Sequence, residues 1–345
     1  MHALESDTID TSIPLINLDG PTAAKDILAA ASKYGFVFVQ HQDLTLTREH
    51  VDRMFHLSRK FFEESSTDVK QCFAINSGSC GKNRGWVGRG TESLDPQQRI
   101  EGGDSKEAFN IGEFVNGRAQ QTLPEPLASN EQDVGDFFRS CHSLCKTILQ
   151  LFARALEIEV SEGGEDWFSI RHDNNVGPSG SVLRLLYYPS SLSSFTSLDN
   201  DVVLAGAHTD YGSVTLLFRL PGQAGLEILT PQGRWEPVPV EPHPATVSNV
   251  PPILVNIGDL LSYWTNGMLK STVHRVTSAK NDVGCLADRY SIAYFCHPQD
   301  DAVLTEIPSA KIKLLAQSAH CSGPTHASAL TARDHLVSRL AATYD

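Results

Sequence analysis

Positive charge is scarce in this chain: 28 lysines and arginines stand against 41 acidic residues, a net charge of −13 over 345 residues. A surface of that sign repels phosphate backbones, which argues against a nucleic-acid partner. Cysteine is sparse as well; seven residues, an odd number without regular spacing, do not make a disulfide framework. No apolar run approaches the roughly 18 residues needed to cross a bilayer, so no membrane partner is expected. The opening MHALESDTID lacks the basic-then-apolar pattern of a secretory leader. A cytoplasmic location with free thiols is the expectation. Internal repeats and low-complexity tracts are also missing, so the length alone suggests about two domains, although β-barrel proteins of this size often form one.

What is present divides by periodicity. IPLINL (13–18) and GFVFVQ (35–40) read as short strands. Segments 21–34 and 47–65 carry apolar residues at helical spacing. Residues 76–106 are rich in Gly, Ser, Asn and charge and read as a long irregular segment, of the kind that usually serves function. A helix is predicted over about 130–158, with Val134, Phe137, Phe138, Cys141, Leu144, Ile148, Leu151 and Phe152 as its buried stripe. From about 181 the chain changes to short β-rich runs: SVLRLLYY, VVLAGAH, SVTLLF, LEIL, WEPVPV, ILVNIG, LLSYWT, STVHRVT and RYSIAYF. Gly, Pro, Asn and Asp punctuate them, as the turns of a jelly roll or barrel require. The tail, TARDHLVSRLAATYD, is helical again.

The expected fold is therefore mainly β with flanking α. Residues 1–180 form a helical amino-terminal region packed on the barrel, 181–300 the β core, and 301–345 a carboxy-terminal helical extension, all one structural unit.

Within the β-rich part, AHTDYGSVTLLF places His208 and Asp210 two apart, on one side of a strand. His274 in STVHRV follows after room for four or five short strands. Two imidazoles and a carboxylate suit a first-row metal such as Fe(II), with coordination positions left for oxygen and a substrate. A lone histidine among 13 is ordinarily packing; the ordered set is what favours a metal site. A rival set, Cys141, His142 and Cys145, lies on or beside the apolar stripe of its helix, where buried cysteine is a core residue.

Fifteen residues past His274, Arg289 and Ser291 share one face of a strand. A guanidinium in an apolar barrel needs an anion, and a carboxylate accepts from the Arg289 fork and the Ser291 hydroxyl together. A structural salt bridge is the plain alternative for such a pair. On 182–188, Arg184, Leu186 and Tyr188 share a face, and Tyr188 is the tyrosine assigned to the cavity.

AHTDYGSVTLLF, VNIGDLLSYWTNGMLKSTVHRV and RYSIAYF together resemble the isopenicillin N synthase-like branch of the iron(II)/2-oxoglutarate-dependent dioxygenases, and IPLINL, KYGFVFVQH, RKFFEES and LLYYP fit its other segments. The resemblance runs from about residue 12 to 343. It implies a distorted double-stranded β-helix, iron ligands (and so the catalytic set) at His208, Asp210 and His274, and 2-oxoglutarate held by Arg289, Ser291 and Tyr188. It also implies that O2 and 2-oxoglutarate are consumed to oxidise a small organic substrate, with succinate and CO2 released. Hydroxylation is the default outcome, with desaturation or ring rearrangement as variants, and secondary metabolism is the expected setting. Leu186 stands where many plant members carry Asn, which makes the pocket more apolar. The resemblance of GWVGRGTESLD (85–95) to a pocket-mouth segment of the same family implies Trp86, Arg89 and Thr91 as substrate contacts, against loop packing and solvation. Loops 190–201 and 241–252 are longer than the plant pattern, and 76–106 and 190–201 read as lids. Other readings stay open: an iron oxidase that omits 2-oxoglutarate and grips a substrate carboxylate with Arg289 and Ser291, a zinc hydrolase, and a non-enzymatic binding protein on the same barrel.

Overall fold

The computed structural model describes residues 13–41, 44–75, 83–92, 94, 104–190, 203–242, 251–278, 288–318 and 330–344. Strand β1 (Leu15–Asn17), helix α1 (Ala23–Tyr34) and strand β2 (Phe36–Gln40) open the chain. Helix α2 (Arg48–Arg59) runs into one π-helical turn over Lys60–Glu64, then α3 (Thr67–Gln71). Strands β3 (Gly85–Val87), β4 (Glu107–Ile111), β5 (Phe114–Val115) and β6 (Arg118–Ala119) precede the long helix α4 (Glu131–Ala155) and the short α5 (Trp167–Arg171). The β core follows as β7 (Val182–Tyr188), β8 (Val203–His208), β9 (Val214–Arg219), β10 (Leu226–Leu229), β11 (Trp235–Pro237) and β12 (Ile253–Ile257). It is completed by α6 (Asp259–Trp264), β13 (His274–Thr277) and β14 (Arg289–Cys296), and helices α7 (Ala310–Ser318) and α8 (Ala332–Tyr344) close the chain.

Two sheets build the barrel. The large one has eight strands in the order β1-β2-β12-β9-β14-β7-β4-β3, and the small one has four in the order β11-β10-β13-β8. This is the double-stranded β-helix with flanking helices. Residues before 180 do more than pack helices on the barrel, because β1, β2, β3 and β4 extend its large sheet. GWV (85–87), expected to be irregular, is one of these strands. LLSYWT also departs from expectation. It forms α6 rather than a strand, with Leu260, Leu261 and Trp264 buried. A single turn of helix and a short strand present equally short apolar runs, and periodicity does not separate them.

Helix α4 carries the predicted stripe, and all eight of its named apolar residues are buried. Each such side chain contributes roughly 1.5–3 kcal/mol by leaving water. Cys141 and Cys145 are buried free thiols within this core. Gly35 closes α1 with φ 70°. A Cβ there would also overlap the Thr272 hydroxyl and the Lys270 carbonyl. Glycine thus lets the turn press against the segment leading to His274, where Thr272 Oγ1 donates to Tyr34 O at 2.8 Å and Ile257 N to Gly35 O at 3.0 Å. Among the described residues no helix is long and apolar enough to cross a membrane.

Candidate metal centre and active-site cavity

His208 ends β8 and His274 opens β13, and the two strands pair with these residues opposite each other. Asp210 lies two residues beyond the end of β8, so it is not a strand neighbour of His208 as the spacing suggested. Its position comes from hydrogen bonds instead. Asp259 N donates to Asp210 O at 2.7 Å and Leu260 N to Gly212 O at 3.1 Å, which clamps the 210–213 turn onto the start of α6. Gly258 is required at this clamp, since a Cβ would overlap Gly212 O and stand 3.0 Å from Asp210 O.

The three side chains converge. One ligand atom from each of His208, Asp210 and His274 lies within 4.8 Å of the others, and His274 Nε2 is 3.8 Å from Asp210 Oδ1. Both imidazoles are oriented by backbone carbonyls. His208 Nδ1 stands 2.7 Å from Gly206 O and His274 Nδ1 stands 3.1 Å from Thr272 O. A carbonyl only accepts, so each Nδ1 carries the proton and each Nε2 presents its lone pair. Asp210 is oriented with equal economy: Thr215 Oγ1 donates to its Oδ2 at 2.7 Å and Asn256 Nδ2 to the same oxygen at 2.6 Å. That leaves Oδ1 for a metal. Burial, aided by His274, pushes His208 down to about 3, which keeps it neutral and ligand-competent. For Asp210 burial pushes upward, but the two imidazoles and the Asn256 and Thr215 donors outweigh it and hold the carboxyl below its ordinary value. Two imidazole nitrogens beside a carboxylate oxygen are the donor set that suits a divalent first-row ion.

The centre opens into a cavity of about 140 Å³. At one end Arg289 and Ser291 stand on β14 opposite Tyr188 and Leu186 of β7. Arg289 is buried, and its guanidinium lies 5.0 Å from the Tyr188 ring centroid. Its Nε donates to Ala224 O at 3.0 Å, while Nη1 is 3.5 Å from Ser291 Oγ. Among the described residues no carboxylate pairs with it. Burial depresses Arg289, opposed by Tyr188, yet a guanidinium stays cationic. A buried cation without a counter-ion is strongly unfavourable unless an anion arrives. Tyr187 takes the other face of β7, stacked 4.9 Å from Tyr290, with its hydroxyl donating to Asp288 at 2.9 Å. Tyr188 and Leu186 both line the cavity.

Trp86 does not reach the cavity. It is buried, and its Nε1 donates to Glu107 Oε2 at 3.1 Å. Arg89 is half exposed near the same Glu107, and Thr91 is exposed. Residues 76–82, 93, 95–103, 191–202 and 243–250 lie outside the described residues, and with them much of the segments read as lids or inserts.

Several functional neighbours had no clear signal in the sequence. Asn256 and Thr215 sit inside the quoted motifs but were not assigned a role. Leu336 and Leu340 of α8 line the cavity, and Arg339 of the same helix reaches Asp259 Oδ2 at 2.5 Å and Thr209 Oγ1 at 3.2 Å. Arg219 on β9 stands opposite Ser291, and burial together with Arg289 pushes it down to about 9.

Comparison with known proteins agrees with this geometry. The model of the 2OG-Fe(II) oxygenase superfamily matches residues 179–298, and that of the non-haem dioxygenase N-terminal region, described from morphine synthesis, matches residues 7–131. A UPF0676 protein of Schizosaccharomyces pombe is 33% identical over 302 residues, covering 86% of this chain and 84% of the relative. The 2-oxoglutarate-dependent dioxygenase htyE of Aspergillus rugulosus is 30% identical over 298 residues, covering 82% of this chain and 84% of htyE. Among solved structures, a full-length Neurospora crassa protein in complex with alpha-KG and thymine superposes with a TM-score of 0.71 at 26% identity, over 96% of each chain. Two imidazoles and a carboxylate converge on a double-stranded β-helix, a buried arginine waits at the far end of the same cavity, and the relatives match over most of both chains: this protein belongs to the 2OG-Fe(II) oxygenase superfamily, the non-haem dioxygenases that use Fe(II), 2-oxoglutarate and O2.

Proposed function

We propose that His208, Asp210 and His274 hold Fe(II), that Arg289, Ser291 and Tyr188 hold the distal carboxylate of 2-oxoglutarate, and that the chain oxidises a small organic molecule of secondary metabolism. The observation that carries this reading is the pairing of two complementary sites in one cavity. Three ligand atoms within 4.8 Å of one another suit a cation, and a buried guanidinium with no carboxylate partner among the described residues suits an anion. The relatives supply the setting, since they include fungal proteins named 2-oxoglutarate-dependent dioxygenases and a Neurospora crassa protein crystallised with alpha-KG and thymine.

When bound, iron and 2-oxoglutarate supply the oxidising power, with one oxygen of O2 going to succinate as CO2 leaves and the other to a substrate C–H. The protein's part is placement. Gly206 O and Thr272 O fix which imidazole nitrogens face the ion, and Thr215 with Asn256 restricts Asp210 to a single oxygen. Arg289 and Ser291 fix the direction in which a dicarboxylate lies along β14, and apolar Leu186, Leu217 and Val276 keep water from its flank. Hydroxylation is the default outcome of such placement. The oxidase alternative places a substrate carboxylate on Arg289, and it gains no support from relatives that carry 2-oxoglutarate in their names. A cytoplasmic location belongs to the same proposal, and the free thiols of Cys72, Cys141, Cys145 and Cys296 suit a reducing compartment.

The test is an anaerobic visible titration of the apoprotein with Fe(II) and then 2-oxoglutarate, run beside Arg289→Ala. A charge-transfer band that needs both additions, and weakens in the variant, is the expected result. Iron binding with no band would reject the cosubstrate and leave the oxidase reading in its place.

A further inference from the structure

A second arginine faces the same cavity, and its surroundings are the opposite of those of Arg289. Arg184 shares the inner face of β7 with Leu186 and Tyr188, and it stands opposite Ala293 of β14 while Tyr188 stands opposite Arg289. Four residues along a strand separate the two arginine positions by about 13 Å, at roughly 3.3 Å per residue. Arg184 Nη2 donates to Glu92 Oε2 at 2.5 Å. The Lys106 ammonium reaches the same Glu92 oxygen at 3.2 Å and Asp104 Oδ2 at 2.5 Å. Asp104 Oδ1 in turn accepts from Gly206 N at 3.2 Å, beside the strand end that carries His208. Among the described residues, two cations and two carboxylates thus pair with one another. The side chains of Glu92, Asp104 and Lys106 are each 2% exposed and that of Arg184 is 13% exposed, so Arg184 is the most accessible member, while Glu92 and Lys106 also line the cavity. Leu94, Val182, Leu336 and Leu340 line the cavity around this cluster.

We infer that the substrate end of the cavity is electrically neutral by construction and takes an uncharged molecule with an apolar flank, whose carbonyl or hydroxyl oxygen accepts from Arg184. This rests on the assignment of Arg289 to 2-oxoglutarate and names the substrate class of the same site. The physical ground is the contrast between the two arginines. An anion arriving at Arg289 meets no competing carboxylate among the described residues. One arriving at Arg184 meets Glu92 already in place and is repelled by it. A neutral oxygen needs only a hydrogen-bond donor, and a guanidinium carries five N–H groups in its fork. The same arrangement sorts the anionic cosubstrate to one end of a cavity that holds guanidinium groups at both. Glu92 thereby turns away a second dicarboxylate that Arg184 alone would attract.

The experiment is calorimetric titration of the anaerobic Fe(II)-loaded protein with 2-oxoglutarate, which here probes both ends. Wild type takes one equivalent. Glu92→Gln, and separately Asp104→Asn, leave a positive charge uncompensated beside Arg184, and each takes a second equivalent at least about tenfold tighter than wild type does, a modest step for unscreened charges a few ångströms apart. Adding Arg184→Leu to Glu92→Gln removes that second equivalent. Retention of the first equivalent shows in every variant that the fold and the cosubstrate end are intact. A saturable second equivalent in wild type overturns the inference, as does a single equivalent in both charge variants. Absence of the first equivalent in wild type sinks the assignment of Arg289, and this inference with it. A substrate screen read by succinate release adds an independent arm: uncharged compounds are expected, and a carboxylate as the best substrate overturns the inference.

Discussion

The donors behind Asp210 give the sharpest prediction. Thr215 Oγ1 and Asn256 Nδ2 both end on Oδ2, at 2.7 and 2.6 Å, and neither touches the oxygen assigned to the metal. Replacing them with the near-isosteric Thr215→Val and Asn256→Leu leaves the three ligands unchanged in identity. Hydrogen bonds to charged groups contribute roughly 1.5–3 kcal/mol each, and outer-shell partners of metal ligands are typically worth about 10–100-fold in affinity. One donor lost from a carboxylate that keeps the other should weaken metal binding by about tenfold. Both lost together should weaken it by about 100-fold, because the freed Oδ2 no longer holds the carboxylate to one orientation. The assay is competition between the protein and a fluorescent chelator for Mn(II) or Co(II), with far-UV circular dichroism confirming the fold. An unchanged metal affinity in the folded double variant would refute the argument that these donors set the ligand geometry.

Three further outcomes are expected. Arg289→Ala removes the buried cation to which the cosubstrate is assigned, and breaking such a pair costs about 3–5 kcal/mol, so the 2-oxoglutarate dissociation constant should rise by about 10²–10⁴-fold while metal affinity in its absence holds. Gly258→Ala forces a methyl group against Gly212 O and Asp210 O. It should weaken metal binding and lower the melting temperature together, and a wild-type value for both would refute the clamp. Glu113 is buried and held by Ser179, whose N and Oγ donate to its Oε1 at 3.0 and 2.7 Å. Burial outweighs these bonds and raises its carboxyl above the ordinary 4.5. The folded state therefore binds its proton more tightly than the unfolded chain, so ionised Glu113 weakens stability above the raised value and the deficit fades as pH falls toward 4.5. Glu113→Gln should be the more stable protein at neutral pH, with the gap closing on acidification, as urea unfolding at two pH values would show; a gap that widens in acid refutes the sign.

The candidate metal site was legible because its residues lie in short motifs with a strict order. AHTD, STVHRV and RYS each name their own residues, and the chain folds them together through β8, β13 and β14. The route was less legible. Asp210 reaches the centre from a turn clamped by α6, a tertiary device that strand periodicity does not describe. LLSYWT misleads for a related reason, since six residues hold too few periods to tell helix from strand. The Glu92, Asp104, Lys106 and Arg184 cluster was invisible, because it exists only through the pairing of β4 with β7 across a long stretch of intervening chain. Isolated charges in a loop ordinarily face solvent, and only their burial at 2% exposure gives them away.

Helix α8 has a consequence for how such enzymes diversify. It begins with a capping box in which Thr331 and Asp334 bond reciprocally, so it carries its own start signal. It touches the barrel through Arg339 on Asp259, and Gly180, which lacks a side chain, leaves room for Leu336. Part of the cavity wall is therefore written in α8, apart from the strands that carry the histidines. Exchange of that helix between relatives would alter which molecules fit, provided the newcomer kept an arginine on Asp259, whose backbone N–H clamps Asp210, so selectivity can be varied there only around that one fixed contact.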